Sequence, residues 1–222
     1  MIKEKLSQGT YFYKLYLYYQ LLFRYKLFYS RNNYSQFDED LFLIEFFKNN
    51  RKGTFVDLGA FHPMRYNNTY LLYKKGWRGI NIDLNQTSID MFNIARKNDI
   101  NRCALLSDVR GLKKTVYFEH NFSAVNSMTH KKGLEIKREM ETEIFDDIVT
   151  DKFDFLNIDL EGQDYKVLKS INFEKYKPRL ICIEILEKSE DKNEIFNFME
   201  KKNYKFIKTC NVSYFFEKNE SN

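Results

Sequence analysis

The spacing of apolar residues changes along the chain. Residues 54–58 (TFVDL), 78–83 (RGINID), 102–106, 153–158 (FDFLNI) and 179–185 (RLICIEI) are short runs rich in Phe, Val, Ile and Leu, each leading to a polar residue. Such runs predict buried strands. Between them, apolar residues recur every three or four positions, which predicts helices over 36–47, 68–75, 87–97, 164–170 and 192–201. Gly53 breaks the chain before the first strand, and Gly76 stops a helix that Asn68 or Thr69 can cap. This alternation builds an α/β fold, a mostly parallel sheet with helices on both faces. FIKT and VSYFFE then pair as a C-terminal antiparallel hairpin through Cys210 and Asn211. Residues 115–119 (TVYFE) read as a short strand or insertion, and the polar residues 120–137 as a long loop suited to covering a substrate.

The opening residues break this pattern. In YFYKLYLYYQLLFRYKLFY, aromatic and aliphatic residues cover more than one face of one or two helices spanning 8–29. A surface helix normally keeps a broad polar face, so an N-terminal helical extension over 1–34 is expected to pack against a partner. That partner is the main domain over 35–222, a second copy in a homodimer formed through the N-terminal helices, or a membrane surface. The longest charge-free run, 15–23, is nine residues, well below the ~20 needed to span a bilayer, so no transmembrane segment is expected.

Composition narrows the setting. At 222 residues, with 43% hydrophobic and 30% charged, the chain suits one globular core and excludes disordered or collagen-like classes. A net charge of +5, spread along the chain, permits an anionic small-molecule substrate, and no nucleic-acid module accompanies it. Cys103, Cys182 and Cys210 show no metal-ligand spacing and read as core fillers in a reducing, cytoplasmic setting.

Candidate chemistry gathers at the strand ends. In an open α/β sheet, ligands bind beyond the carboxyl ends of the strands. Those ends deliver Asp57 and Gly59, then Asp83, Ser107 and Asp108, Asp159 and Glu161, and Glu184. Asp83 lies 26 residues after Asp57, where an acid can accept hydrogen bonds from ribose hydroxyls. In FVDLGAFHP, however, Phe61 stands where a dinucleotide turn needs its second glycine. A phosphate-free adenosyl cofactor suits this turn better than a nicotinamide dinucleotide.

FVDLGAFHPMRYNNTYLLYKKGWRGINIDLN, followed by FDFLNIDLEGQDYKVLKSINFEKYKPRLICIEI, resembles the FkbM family of S-adenosylmethionine-dependent methyltransferases over roughly residues 35–187. The resemblance implies a Rossmann-like methyltransferase fold and O-methylation of a sugar hydroxyl, carried on a nucleotide sugar for capsule or lipopolysaccharide synthesis. It also leaves open a polyketide, lipid or glycan acceptor, or a catalytically silent domain that binds a partner. It implies that Asp57, Gly59 and Ala60 border the methionine part of S-adenosyl-L-methionine, that Asp83 holds the ribose, and that Asp108, with Ser107 before it, approaches the adenine. Asp159 then faces the reacting methyl.

Methyl transfer to oxygen also needs a base, for which His62, Asp159 and Glu184 are candidates. Arg65, Tyr66, Asn126, His130 and Glu161 are candidates for holding the substrate. The carboxylates are hard oxygen ligands for a divalent metal, but they form no closed coordination signature and a metal is not expected. Trp77 reads as a packing anchor.

Overall fold

The computed structural model describes residues 8–24, 31–50, 52–120, 126–127, 132–134, 136–186 and 191–219, with 126–127 described through their backbone only. In chain order it contains helix α1 (Tyr11–Tyr19), continued by a π-helical turn (Gln20–Arg24), then α2 (Glu39–Phe46), β1 (Thr54–Leu58), α3 (Tyr70–Lys74), β2 (Arg78–Asp83), α4 (Gln86–Ala95), β3 (Ile100–Cys103) and β4 (Leu105–Leu106). The second half adds β5 (Lys113–Phe118), β6 (Asn126–Ser127), β7 (Ile136–Glu143), α5 (Phe145–Ile148), β8 (Phe155–Ile158), α6 (Asp164–Ser170), α7 (Phe173–Tyr176), β9 (Leu180–Glu184), α8 (Lys192–Lys201), β10 (Tyr204–Cys210) and β11 (Ser213–Lys218).

The main sheet has the order β10-β11-β9-β8-β1-β2-β3. Strands β9, β8, β1, β2 and β3 run parallel, and the β10/β11 hairpin joins β9 antiparallel. The chain winds from β1 towards β3 on one side and later returns to β8 and β9 on the other. The β1/β8 junction is therefore the switch point where an open sheet leaves a crevice.

Alternation along the strands separates two cores. Val56, Leu58, Leu156, Ile158 and Ile181 face a cluster with Val167, Leu168 and Met199. Phe55, Phe155, Leu180 and Cys182 face the other way, against Leu43, Phe47, Leu72 and Trp77. Burying each such side chain contributes about 1.5–3 kcal/mol. Trp77 is the expected anchor: its ring lies 4.7 Å from that of Phe47, and a Cβ on Gly53 would strike it.

Asp57 shares the Phe55 face, in register with Asn81 and Asn157, and Asn81 is in register with Asn101. One rung of an otherwise apolar sheet is thus polar across four parallel strands.

A second sheet, β4-β7-β5-β6, grows from the end of β4. Here the structure departs from the expected long loop over 120–137. Asn126 and Ser127 pair with β5, and residues 136 and 137 already belong to β7. Ile136 and Met140 of β7 pack on Leu105, Val116 and Phe118, while the intervening side chains are charged.

The aromatic N-terminal segment packs on its own domain. Tyr13, Leu17 and Leu21 are buried with Tyr34, Met64, Tyr70 and Met91, and the Tyr13 hydroxyl donates to Asp90 at 2.7 Å. No helix among the described residues is long and apolar enough to cross a membrane.

Candidate active site

The first strand ends in a turn that uses its own polar groups. The Gly59 and Ala60 amides both donate to the Ile82 carbonyl, at 2.9 and 3.1 Å, and the Phe61 amide donates to Asp83 Oδ2 at 2.8 Å. The Ala60 carbonyl accepts from the His62 amide and from Asn67 Nδ2. Gly59 has φ of +79°, and a Cβ there would overlap the Asp159 carbonyl oxygen. Its glycine is thus demanded by the close approach of β8, whatever it also offers a ligand.

Asp57 lies beneath this turn and is fully buried. It accepts from Thr69 Oγ1 at 2.8 Å, Asn157 Nδ2 at 2.9 Å and Asn67 Nδ2 at 3.3 Å. Burial raises its pKa, opposed by Arg96 and by these hydrogen bonds. Arg96 is itself buried, donating to Asn67 and Thr69 and pairing with Asp99 at 2.8 Å. Asp57 therefore anchors the 60–69 loop through a buried network, a role that the cofactor-lining expectation did not contain.

Asp83 closes β2 with both oxygens oriented. Besides Phe61, the Asn85 amide donates to Oδ1 at 2.7 Å. Each oxygen keeps a lone pair for a further donor. Burial raises the Asp83 pKa to about 6, against the two amide hydrogen bonds. After β4, which the structure puts in the second sheet, Ser107 Oγ donates to Asp108, which pairs with Lys166 of α6 at 3.1 Å.

On the other side of β1 lies a small crevice that opens to solvent. Its walls include Asp159, Glu184, Tyr66 and Asn68, closed by Glu39 from α2 and Ser213 from β11. Glu39 is buried, accepting from the Phe37 amide at 2.7 Å and from Ser213 Oγ at 3.0 Å. Asp159 and Glu184 share a hydrogen bond that favours the proton on Asp159. Crowding by protein raises the Asp159 pKa, followed by the charges of Glu184, Asp164 and Glu161. Asp159 still meets solvent at the crevice mouth, so water damps the size of this rise and leaves its direction. Glu184 is raised as well, by burial and then by Asp164.

His62 calls for a correction. It is buried, and its Nδ1 accepts amide hydrogens from Met64 at 3.1 Å and Arg65 at 3.0 Å. That fixes the neutral tautomer with its proton on Nε2, leaving no basic lone pair. Burial, then Arg65, lowers its pKa to about 3. His62 braces the turn, and Asp159 and Glu184 remain as candidate bases.

The substrate candidates divide. Tyr66 lines the crevice, and the Arg65 guanidinium lies over its ring at 4.9 Å. Glu161 lies in the turn after β8 with φ of +50°. Asn126 is in β6, whereas His130 lies outside the described residues. The sequence reading missed Glu39 and Ser213 as crevice walls, and Asp164, which accepts the Leu160 and Gly162 amides at 2.7 and 3.0 Å. The acidic start of α2 and the third acid of DLEGQD were the only signals. No group of three or more His, Cys, Asp or Glu able to hold a metal occurs among the described residues.

A parallel sheet with a braced acid at the end of β2 and a crevice at the β1/β8 switch point defines a methyltransferase-type α/β domain. The Methyltransferase FkbM domain family matches residues 57–206, more than half of the chain, and the protein belongs to that family of S-adenosylmethionine-dependent methyltransferases. Among solved structures, methyltransferase FkbM from Methylobacillus flagellatus KT shares the fold at 14% identity and a TM-score of 0.52. The match covers 75% of this chain and 44% of that one, so this chain spans less than half the length of that relative. A structure from Pyrococcus horikoshii, described as a candidate RNA methyltransferase, aligns at 15% identity with a TM-score of 0.46, covering 82% and 83% of the two chains, too distant to carry an argument. No curated protein matches this chain.

The residues present fit S-adenosylmethionine. A diphosphate needs backbone N–H groups from the first turn, and those of Gly59, Ala60 and Phe61 are all engaged internally. What the rim offers instead is carboxylate, which suits ribose hydroxyls, an amine and a sulfonium. Asp83, with its two oxygens already oriented, would hold the ribose diol.

Proposed function

We propose that this chain is an O-methyltransferase acting on a sugar hydroxyl, with the Asp159–Glu184 pair receiving the proton. The observation that carries this reading is the crevice lining. Apart from Gly59, Ala60 and Val212, every residue lining it is polar. Amides and carboxylates on all sides match a polyol, whereas a polyketide or lipid acceptor needs apolar walls.

S-adenosylmethionine supplies a methyl carbon activated by its sulfonium, which leaves as a neutral thioether. The chain has to orient the acceptor oxygen and accept its proton. Asn68, Tyr66 and Ser213 hold hydroxyls by hydrogen bonds, and Glu39 completes the wall opposite Asp159. Once the pair has given up its shared proton to solvent, Asp159 takes the proton from the attacking hydroxyl, and Glu184 accepts a hydrogen bond from the resulting Asp159 O–H. The crowding that raises the Asp159 pKa makes it a stronger base than an ordinary carboxylate.

In a nucleotide sugar, the sugar end enters the crevice. Its diphosphate stays outside, away from Glu39, Asp159 and Glu184, with Arg65 beside Tyr66 as its cation.

The test is formation of S-adenosylhomocysteine by the full chain with a panel of nucleotide sugars, free glycans and apolar alcohols. Transfer to sugars, falling ~100-fold or more in Asp159→Asn with cofactor affinity kept, is expected. Transfer only to apolar alcohols would refute the sugar assignment. Cofactor binding without turnover on any acceptor would favour the silent, partner-binding alternative.

A further inference from the structure

The N-terminal helical segment has two apolar faces, and the described residues of the domain cover only one. Opposite buried Tyr13, Leu17 and Leu21, the residues Phe12, Leu15, Tyr18, Tyr19, Leu22 and Phe23 are between 47% and 71% exposed. Positions 12, 15, 19 and 22 recur at three- and four-residue intervals, flanked by 18 and 23, and so form one stripe along α1 and its π-helical continuation. Globular proteins rarely leave such a contiguous apolar patch in water.

The charges beside the stripe have one sign. Residues 8–24 contain Lys14 and Arg24 and no Asp or Glu. We propose that this face rests on the surface of an anionic lipid bilayer. Its rings would enter the headgroup boundary, tyrosine hydroxyls would stay at headgroup level, and the two cations would meet lipid phosphates. Since no described helix is long enough to cross, the segment lies on the bilayer. A second copy fits less well, because its stripe brings cations against Lys14 and Arg24 with no acid to answer them.

Docking here places the bilayer beside the cofactor end of the sheet. Tyr13 bonds Thr87 and Asp90 of α4, and the residue capping that helix, Asn85, orients Asp83. The surface proposal stands on exposure and charge and does not depend on the acceptor assigned above.

The test is co-sedimentation of the full chain with vesicles of phosphatidylcholine alone or with about 30% phosphatidylglycerol, folding being checked by thermal unfolding. The chain is expected to pellet with the anionic vesicles and at least roughly tenfold less with the neutral ones. Phe12→Ser with Phe23→Ser, and separately Lys14→Glu with Arg24→Glu, should each weaken anionic-vesicle binding roughly tenfold without shifting the unfolding transition. Folded protein that stays in the supernatant with both vesicles overturns the proposal. So does unchanged binding by the Phe12→Ser/Phe23→Ser variant. A dimeric mass by light scattering, without vesicle binding, assigns the stripe to a second copy instead.

Discussion

Two carboxylates on either side of the β1/β8 junction have opposite surroundings. Asp57 is sealed in, meets three side-chain donors and feels the charge of Arg96. Asp159 opens to solvent and is crowded by Glu184, Asp164 and Glu161. Both have raised pKa values, yet only Asp57 has its charge answered by donors. An acid whose lone pairs are filled holds the scaffold, whereas acids pressed together at a crevice store the capacity to take a proton.

The scaffold side should be the more costly to damage. Arg96→Ala strips the cation from buried Asp57 and Asp99 and is expected to destabilise the fold by about 3–5 kcal/mol in urea unfolding. A loss below about 1 kcal/mol would mean that the network is not holding the turn. Gly59→Ala, which meets both a left-handed backbone and the Asp159 carbonyl, should cost about 2–4 kcal/mol and weaken cofactor binding with it.

The crevice side should show the reverse pattern. Asp159→Asn relieves like-charge crowding, so stability at neutral pH should stay level or rise while turnover collapses. The pH–rate profile sharpens the same point. A raised pKa means that the basic form appears only at higher pH, so the rising limb should lie well above pH 4, the region of an ordinary carboxylate. A limb near pH 4 would remove Asp159 from the proton transfer.

The smallest effect concerns Asp83. Its pKa of about 6 in the free protein means that it becomes protonated as pH falls through that value, losing acceptor strength for a ribose diol. S-adenosylhomocysteine affinity should hold above pH 7 and weaken on titration towards pH 5. A flat affinity across that range argues against ribose contact.

Much of this architecture was legible because the central strands are short apolar runs with sharp ends. The strands at 54–58 and 78–83, the helices at 164–170 and 192–201, and the terminal hairpin all stand where the pattern put them. Strand β7, IKREMETE, was not legible. Its only two apolar residues, Ile136 and Met140, pack on a small core, and its charged residues are helix formers that an exposed strand tolerates. The one-turn helices α5 and α7 are too short to show a period.

At the site, the strand-end acids could be named because the topology sends them to one edge. Their division of labour could not, since it depends on partners distant in sequence. Asn157 reaches Asp57 across 100 residues and Ser213 reaches Glu39 across 174. Nor does sequence distinguish an exposed histidine from one whose Nδ1 is already occupied by two amides, as His62 is.

The most direct test of the central claim is calorimetric titration of the cofactor-stripped chain with S-adenosylhomocysteine, with NADH as the control. The engaged amides of the first turn and the braced Asp83 predict binding near about 1–100 μM for S-adenosylhomocysteine and none for NADH. Equal binding of NADH, or no binding of S-adenosylhomocysteine by folded protein, would contradict it.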